Sequence, residues 1–309
     1  MTENRREELR NIVEGKEFRS EEYQKLKMEE AYYIHTLFVD ATDDIGQVKC
    51  EFFRQLTVDL LKNLPEFYSF FLAGYQVPYV VCNQDTFDDE VLICTNEETA
   101  RAELSVAHEN NIPVTVIKCD NKHYLQFFST LVNQGVNALR IKNGVADEEI
   151  FLMLDKICKK TNDDDVENKA LAVSNPSLSL TMTYFIEELQ KPDSEEKAEK
   201  IGELKEEMLA NVLRAKFLVP LLPDEEGHPK KRIAFLQDKD GDIFLPLFTD
   251  AGEYVKSPQQ QDNQVAIMTA DEIEGLLSED VKGAAVNPFG ANVRFASANL
   301  KQVIQSAHQ

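Results

Sequence analysis

The stretch Asp242-Ile-Phe-Leu-Pro-Leu-Phe-Thr249-Asp250 is a short apolar run closed by cap residues, and Gly283-Ala-Ala-Val-Asn287-Pro288-Phe289-Gly290 answers it downstream. Runs this short, bounded by Asp, Gly and Pro, read as buried strands whose polar ends meet at one edge of a sheet. Open α/β sheets place ligands at such strand ends, so Thr249, Asp250, Asn287, Phe289 and Gly290 are the candidate ligand- or partner-binding residues. A plainer reading stands beside this one. Thr or Asp after a strand is an ordinary helix N-cap, and Asn-Pro and Phe-Gly are ordinary turn pairs. Neither stretch sets a nucleophile beside a base, so no reaction can be read from them.

The flanking chain continues the strand-turn-helix rhythm. Arg232 to Gln237, the turn Asp238-Lys-Asp-Gly241 and Ile243 to Phe248 form a hairpin by the Asp-Gly rule. Val265 to Met268 is a strand, Asp271 to Leu277 a helix, Asn292 to Phe295 a strand that pairs back, and Ser297 to Ala307 a closing helix. Upstream, Ser179 to Leu189 and Ser194 to Leu213 are two helices broken at Pro192, the second capped by Ser194. They lead into the strand Lys216 to Leu222.

The first half reads similarly. Residues 1 to 30 are highly charged and suit an exposed helix or two, and Ala31 to Asp40 is a strand or a buried helical segment. Apolar positions from Cys50 to Leu64 have helical spacing, and a short helix is expected over Glu66 to Leu72, stopped by Gly74. Gln76 to Val81 and Glu90 to Thr95 make a hairpin around the acidic turn Asp85 to Asp89. Asn96 caps a helix over Glu97 to Asn110, followed by the strand Val114 to Ile117, a helix carrying Tyr124, Phe127, Phe128 and Leu131, and the strand Ala138 to Ile141. A last amphipathic helix is expected over Asp147 to Lys159, and the charge run Thr161 to Asp165 reads as a linker.

Three matches suggest an internal repeat. Ala73-Gly-Tyr-Gln-Val-Pro78 aligns with Ala215-Lys-Phe-Leu-Val-Pro220, Ile93-Cys-Thr-Asn96 with Leu247-Phe-Thr-Asp250, and Asn137 to Gly144 with Gly283 to Gly290. The separations, all near 150, suit two diverged copies of one domain, although any two α/β domains share some of this rhythm. The expected fold class is therefore α/β: two tandem related α/β domains, each a small mixed sheet flanked by helices, with extra N-terminal helices. The expected domains are residues 1–160, with a helical extension, and residues 161–309, with leading helices.

Over residues 205 to 296 the second copy resembles the SseB-like family, named after the enhanced serine sensitivity protein. Phe217-Leu-Val-Pro220, Ile243 to Asp250, Met268-Thr-Ala-Asp-Glu-Ile and Val286-Asn-Pro-Phe-Gly290 carry the resemblance. The first copy resembles it less, with Ile-Cys-Thr-Asn for Leu-Phe-Thr-Asp and Lys-Asn-Gly for Asn-Pro-Phe-Gly. The resemblance implies a compact α/β domain in a bacterial cytosolic protein; the type III secretion label sometimes attached to the family implies no activity.

Composition narrows the partners. The 309 residues carry 33 basic and 55 acidic side chains, a formal charge of −22, which repels DNA, RNA and anionic membranes over most of the surface. The basic cluster Lys230-Lys231-Arg232 reads as solvated edge protection. No apolar run has the length of a membrane span, the N-terminus is too charged for a signal peptide, and the expected location is the cytoplasm. Cys50, Cys82, Cys94, Cys119 and Cys158 show no C-x-x-C spacing and read as reduced thiols.

Asp238 to Asp242 begins like a calcium loop, but Thr249 stands where the bidentate Glu belongs, so a hairpin turn is the better reading. The histidines are scattered, and nucleotide-loop and hydrolase-elbow motifs are missing. No cofactor or metal is expected, and the chain reads as a non-catalytic, protein-binding scaffold with an unknown protein partner. The alternative is a small-molecule sensor or enzyme using the strand-end residues of the second copy.

Overall fold

The computed structural model describes residues 1–14, 23–144, 148–158, 172–222, 232–258 and 264–307. The linker Thr161 to Asp165, the boundary at 160/161 and Lys230-Lys231 lie outside the described residues. Three N-terminal helices, α1 (Glu3–Val13), α2 (Met28–Thr36) and α3 (Asp44–Lys62), precede the first sheet. Segment 31–40, open between strand and helix on periodicity, is mostly α2. The charged first thirty residues are not merely a solvated face: Leu9 and Val13 of α1 are buried with Tyr23, Ile34 and Phe53 in a small cluster.

The first unit continues as β1 (Glu66–Leu72), β2 (Val81–Cys82), β3 (Asp89–Cys94), α4 (Glu97–Glu109), β4 (Val114–Asp120), α5 (Tyr124–Asn133), β5 (Ala138–Lys142) and β6 (Glu149–Met153). Its sheet has the order β4-β1-β3-β5-β6, with β2 also on β3. Two helices expected from sequence are strands here. Glu66 to Leu72 pairs along its whole length with β4, and its aromatic residues suit a central strand covered on both faces. In β6, Ile150 and Leu152 are buried while Phe151 and Met153 are exposed, a period of two that an all-apolar run conceals. The expected hairpin 76–81 forms only at its end: Pro78 bridges to Phe71 of β1, and just Val81 and Cys82 pair with β3.

After α6 (Pro176–Gln190), α7 (Glu195–Arg214) leads into β7 (Lys216–Leu221), β8 (Leu236–Gln237), β9 (Ile243–Leu247), α8 (Ala251–Tyr254), β10 (Gln264–Thr269), α9 (Ala270–Glu274), β11 (Val281–Val286), β12 (Val293–Ala296) and α10 (Ser297–Ala307). From β1 and from β7 onward, the order of elements matches. So does the pairing. β1–β4 and β7–β10 are antiparallel, β3–β5 and β9–β11 parallel, and β5–β6 and β11–β12 antiparallel.

Register refines the sequence alignment. Ile93 faces Ile141 and Leu247 faces Val286, so Val286, rather than Asn287, is the counterpart of Ile141. Ala73 follows β1 whereas Ala215 precedes β7, so that pair of motifs is not equivalent. The true counterparts share a bond pattern: Tyr79 N donates to Phe70 O at 2.9 Å, and Ala234 N donates to Pro220 O at 3.0 Å.

The units differ at one seam. In the first, β1 meets β3 at Tyr68–Cys94 and Ser69–Ile93. In the second, Leu218–Phe248 is the only such bridge among the described residues, leaving β7–β10 a separate ladder from β12-β11-β9-β8. Pro220 and Pro246 occupy the next ladder positions, and neither has an N–H to give.

Helix α6 lies between the units. Pro176 fits its first turn, where the missing N–H costs nothing. Leu178, Met182 and Ile186 join one apolar core with Tyr68, Phe70 and Leu72 of β1 and Leu245, Leu247 and Val286 of the second unit. A separate core under the opposite face of the first sheet gathers Phe67, Val91, Ile93, Leu139 and Phe128. Close approach of α6 requires Gly135, at φ +86°, where a Cβ would lie 2.7 Å from Pro176 O.

Polar side chains on α6 reach into the first unit. Glu187 accepts from Val80 N at 3.0 Å, Tyr184 donates to Asp89, and Gln190 donates to Ala73 O at 3.1 Å. Burial pushes the Glu187 carboxyl up to about 8, from an ordinary 4.5. In the folded chain it stays neutral across much of the range in which the unfolded chain ionises it. Its stabilising contribution is therefore present in full below pH 4.5 and is lost as pH rises towards and through about 8. Glu187→Gln keeps the acceptor and removes the ionisation. Urea midpoints measured from pH 5 to 9 are expected to fall less steeply in the variant, which gains on the order of a few kcal/mol over wild type at the alkaline end.

Candidate functional site

The sequence places Thr249, Asp250, Asn287, Phe289 and Gly290 at strand ends, and the parallel pairing of β9 with β11 brings them together. Thr249 and Asp250 follow β9; Asn287 follows β11 and holds a left-handed φ of 48°, a conformation Asn tolerates. All three are buried, as is Gly290, while Phe289 is half-buried and stacks on Phe248.

Their polar atoms are directed at one another. Asn287 Oδ1 accepts from Thr249 N at 3.0 Å, and Asn287 Nδ2 donates to Thr249 Oγ1 at 2.9 Å. Thr249 Oγ1 lies 2.9 Å from Asp250 Oδ2, and Asp250 Oδ1 accepts from Glu253 N at 3.1 Å as the N-cap of α8. Asn175, just before α6, donates from Nδ2 to Lys216 O at 2.8 Å and to Thr249 O at 2.7 Å. Ser179 of α6 closes the set at 3.3 Å from Thr249 Oγ1. This arrangement fixes two strand ends, a helix start and α6 in one network.

Glu253 is a member that sequence reasoning missed. It is buried, accepts from Gln134 Nε2 of the first unit at 3.2 Å, and pairs with Lys256 at 2.6 Å. Lys256 Nζ also lies 3.4 Å from Gln76 O, again in the first unit. Burial pushes the Glu253 carboxyl up; Lys256 opposes that shift and Asp250 adds to it. Its Oε2 has no hydrogen-bond partner among the described residues and lies against Gly290, where a Cβ would be 2.3 Å away. The sequence signal was the cap itself, since Asp250 fixes Glu253 as the third residue of the helix.

The first unit holds the same geometry with different chemistry. Asn96 caps α4, accepting from Thr99 N at 2.9 Å, and donates to Asn143 O at 3.1 Å. Gly144, at φ +89°, abuts that third helical residue: a Cβ would meet Thr99 Oγ1 at 2.8 Å. Each glycine thus serves close approach of a loop to a helix start.

Other sequence candidates resolve locally. Asp238 Oδ1 accepts from Asp240 N at 3.0 Å and Asp242 N at 3.1 Å, closing the hairpin turn, and its Oδ2 holds Arg294 at 2.9 Å. Burial pushes the Cys94 thiol up to about 12 and the Cys119 thiol up to about 11, away from thiolate chemistry. No described helix is long and apolar enough to cross a membrane.

A different feature is open. A groove of about 430 Å³ runs between α6, α7 and β12, lined by Tyr75, Phe185, Leu189, Met208 and Leu209, and by residues 291–296. The lining includes all four residues of β12, which come from both faces of the strand, as only an edge presents. β12 is terminal in its sheet, so half of its peptide groups face away from β11. Its charged lining residues, Lys205 and Arg294, are both cationic.

These observations define a protein built from mixed α/β units with a buried strand-end network and an apolar edge groove. Residues 195–302, from the start of α7 into α10, match the family model described as SseB protein N-terminal domain. No curated protein matches the chain. Among solved structures, Tic22 from Plasmodium falciparum is 13% identical with a TM-score of 0.19, covering 81% of this chain and 96% of that one. Anabaena Tic22, described as protein transport, is 8% identical with a TM-score of 0.20, covering 73% of this chain and 86% of that one. Likenesses this loose say nothing about site or function.

Gly290→Ala is expected to destabilise the chain by about 2–4 kcal/mol, as overpacking against a buried charged pair does. Glu253→Ala is destabilising by itself, because it strands Lys256 and Gln134. Denaturant unfolding of both single variants and the double variant should show the double costing less than the sum of the singles, since truncating Glu253 makes room for the added methyl group.

Proposed function

We propose that this chain is a non-catalytic protein-binding module whose receptor surface is the groove beside β12. The observation that carries this reading is the conjunction of an apolar cleft with an open strand edge. A segment in extended form adds hydrogen bonds to β12 and sets alternate side chains into the cleft, a common mode of peptide recognition. The strand-end cluster supports the same reading by being occupied with itself: Thr249, Asp250 and Asn287 are buried and mutually hydrogen-bonded. We read them as the clasp between the two units, and the first unit as a diverged copy of the second. Bacterial origin and a cytoplasmic location belong to the same proposal, supported by the SseB match and the acidic surface.

The test uses a synthetic peptide alternating leucine and aspartate, titrated into the isotopically labelled chain. Backbone amide resonances of residues 291–296 are expected to shift, and Leu209→Glu is expected to abolish the effect. Shifts confined to other surfaces, or none at millimolar peptide, would refute the groove as a receptor.

A further inference from the structure

The turn between β2 and β3 presents a feature that neither the fold nor the groove explains. Phe87 stands at its tip, 76% exposed, with a left-handed φ of 59°. A bulky residue rarely adopts that conformation, and an exposed phenyl ring gains no burial to offset it. The turn is nonetheless well ordered by its own bonds. Asn83 Oδ1 accepts from Asp85 N at 2.9 Å and Thr86 N at 3.2 Å, while Asn83 O accepts from Phe87 N at 2.8 Å. Asn83 N donates to Asp88 O at 2.8 Å, and Asn137 Nδ2 anchors the Asp88 carboxylate at 2.9 Å. An aromatic side chain is thus held outward on a fixed turn between Asp85 and Asp88. Strain kept at an exposed site, with the loop pre-organised around it, is the signature of a contact residue.

The groove has the complementary character. Its walls are apolar, its volume of about 430 Å³ is ample for one phenyl ring, and its charged residues are Lys205 and Arg294 on a chain of net charge −22. Arg294 is already paired with Asp238; Lys205 has no ion pair among the described residues. Resting on the groove being a receptor, we propose that it takes the Phe87 turn of a second copy of this chain. The phenyl ring enters the cleft, and Asp85 or Asp88 meets Lys205. Turn and groove are different surfaces, so the contact is heterologous unless two copies exchange turns. Two strongly acidic copies repel at range, so the association is weak and needs salt near physiological strength, where the screening length is about 8 Å.

The chain contains no tryptophan, so Phe87→Trp installs a single reporter at the tip. In about 0.15 M salt, its emission is expected to move to shorter wavelength as protein concentration rises, and sedimentation is expected to show a growing fraction of associated chains. Lys205→Glu and Leu209→Glu in the same background should hold the emission at its water-exposed position. Phe87→Gly should abolish association in the native background while leaving the melting temperature unchanged or higher, because glycine accepts the left-handed turn. Emission and sedimentation that stay those of a monomer at every concentration would overturn the proposal. So would association that persists in Phe87→Gly, or a marked fall in its melting temperature, which would make Phe87 structural. If the leucine–aspartate peptide binds residues 291–296 while the reporter stays in water, the receptor reading stands and the second-copy reading falls. If neither binds, both fall.

Discussion

Helix α6 is buried on more than one side, and the joining of the two units depends on that burial. Leu178, Met182 and Ile186 give it an apolar face shared by β1 of the first unit and β9 and β11 of the second. Its polar residues are equally committed. Ser179 and Thr183 are almost wholly covered, so each must find a partner, and they find Thr249 in the second unit and Gln134 in the first. A helix whose polar groups are satisfied by two bodies fixes the register between them as well as their contact. Gly135 lets the first unit approach the start of α6, and Asn175 ties that start to the second.

The strand-end network and the cap-glycine contact show how one order of strands and helices carries different chemistry in the two units. In the first unit the third residue of the capped helix is Thr99, and the adjoining loop glycine is Gly144; in the second they are Glu253 and Gly290. A threonine satisfies itself on its own cap. A buried glutamate cannot, and it draws in Lys256 and Gln134. The second unit is tied to the first partly through this ionisable third helical residue and its Lys256 partner.

Much of this framework was legible in the sequence. β9 and β11 and their cap residues followed from short apolar runs closed by Asp, Asn and Gly, and Asn96 and Ser194 announced their helices. Glu66 to Leu72 and Glu149 to Met153 did not read correctly, because strands that are apolar throughout lose the alternation that marks a half-buried strand. α6 read as a helix, but its role did not: Ser179, Thr181 and Thr183 look like ordinary solvated positions until what covers them is known. The groove was out of reach for a related reason. Tyr75, Leu189, Leu209 and Val293 are far apart in the chain, and no local pattern marks a cleft assembled by packing. Of the candidate site, sequence supplied the residues and their meeting place, and only geometry showed their polar atoms turned on one another.

The prolines in β7 and β9 bear on how the strands of the second unit join. Where the first unit has a continuous sheet, the second is crossed by a seam held by the reciprocal bonds of Leu218 and Phe248, at 2.9 and 3.0 Å. The corresponding contact of the first sheet, between β1 and β3, covers two residue pairs, whereas the β1–β4, β3–β5 and β5–β6 ladders run over five to seven. The second unit therefore has two ladders, one of β7 and β10, the other of β12, β11, β9 and β8, packed on one shared apolar core. Two residues without an N–H, placed where the two ladders face each other, hold the contact between β7 and β9 to one reciprocal pair of hydrogen bonds.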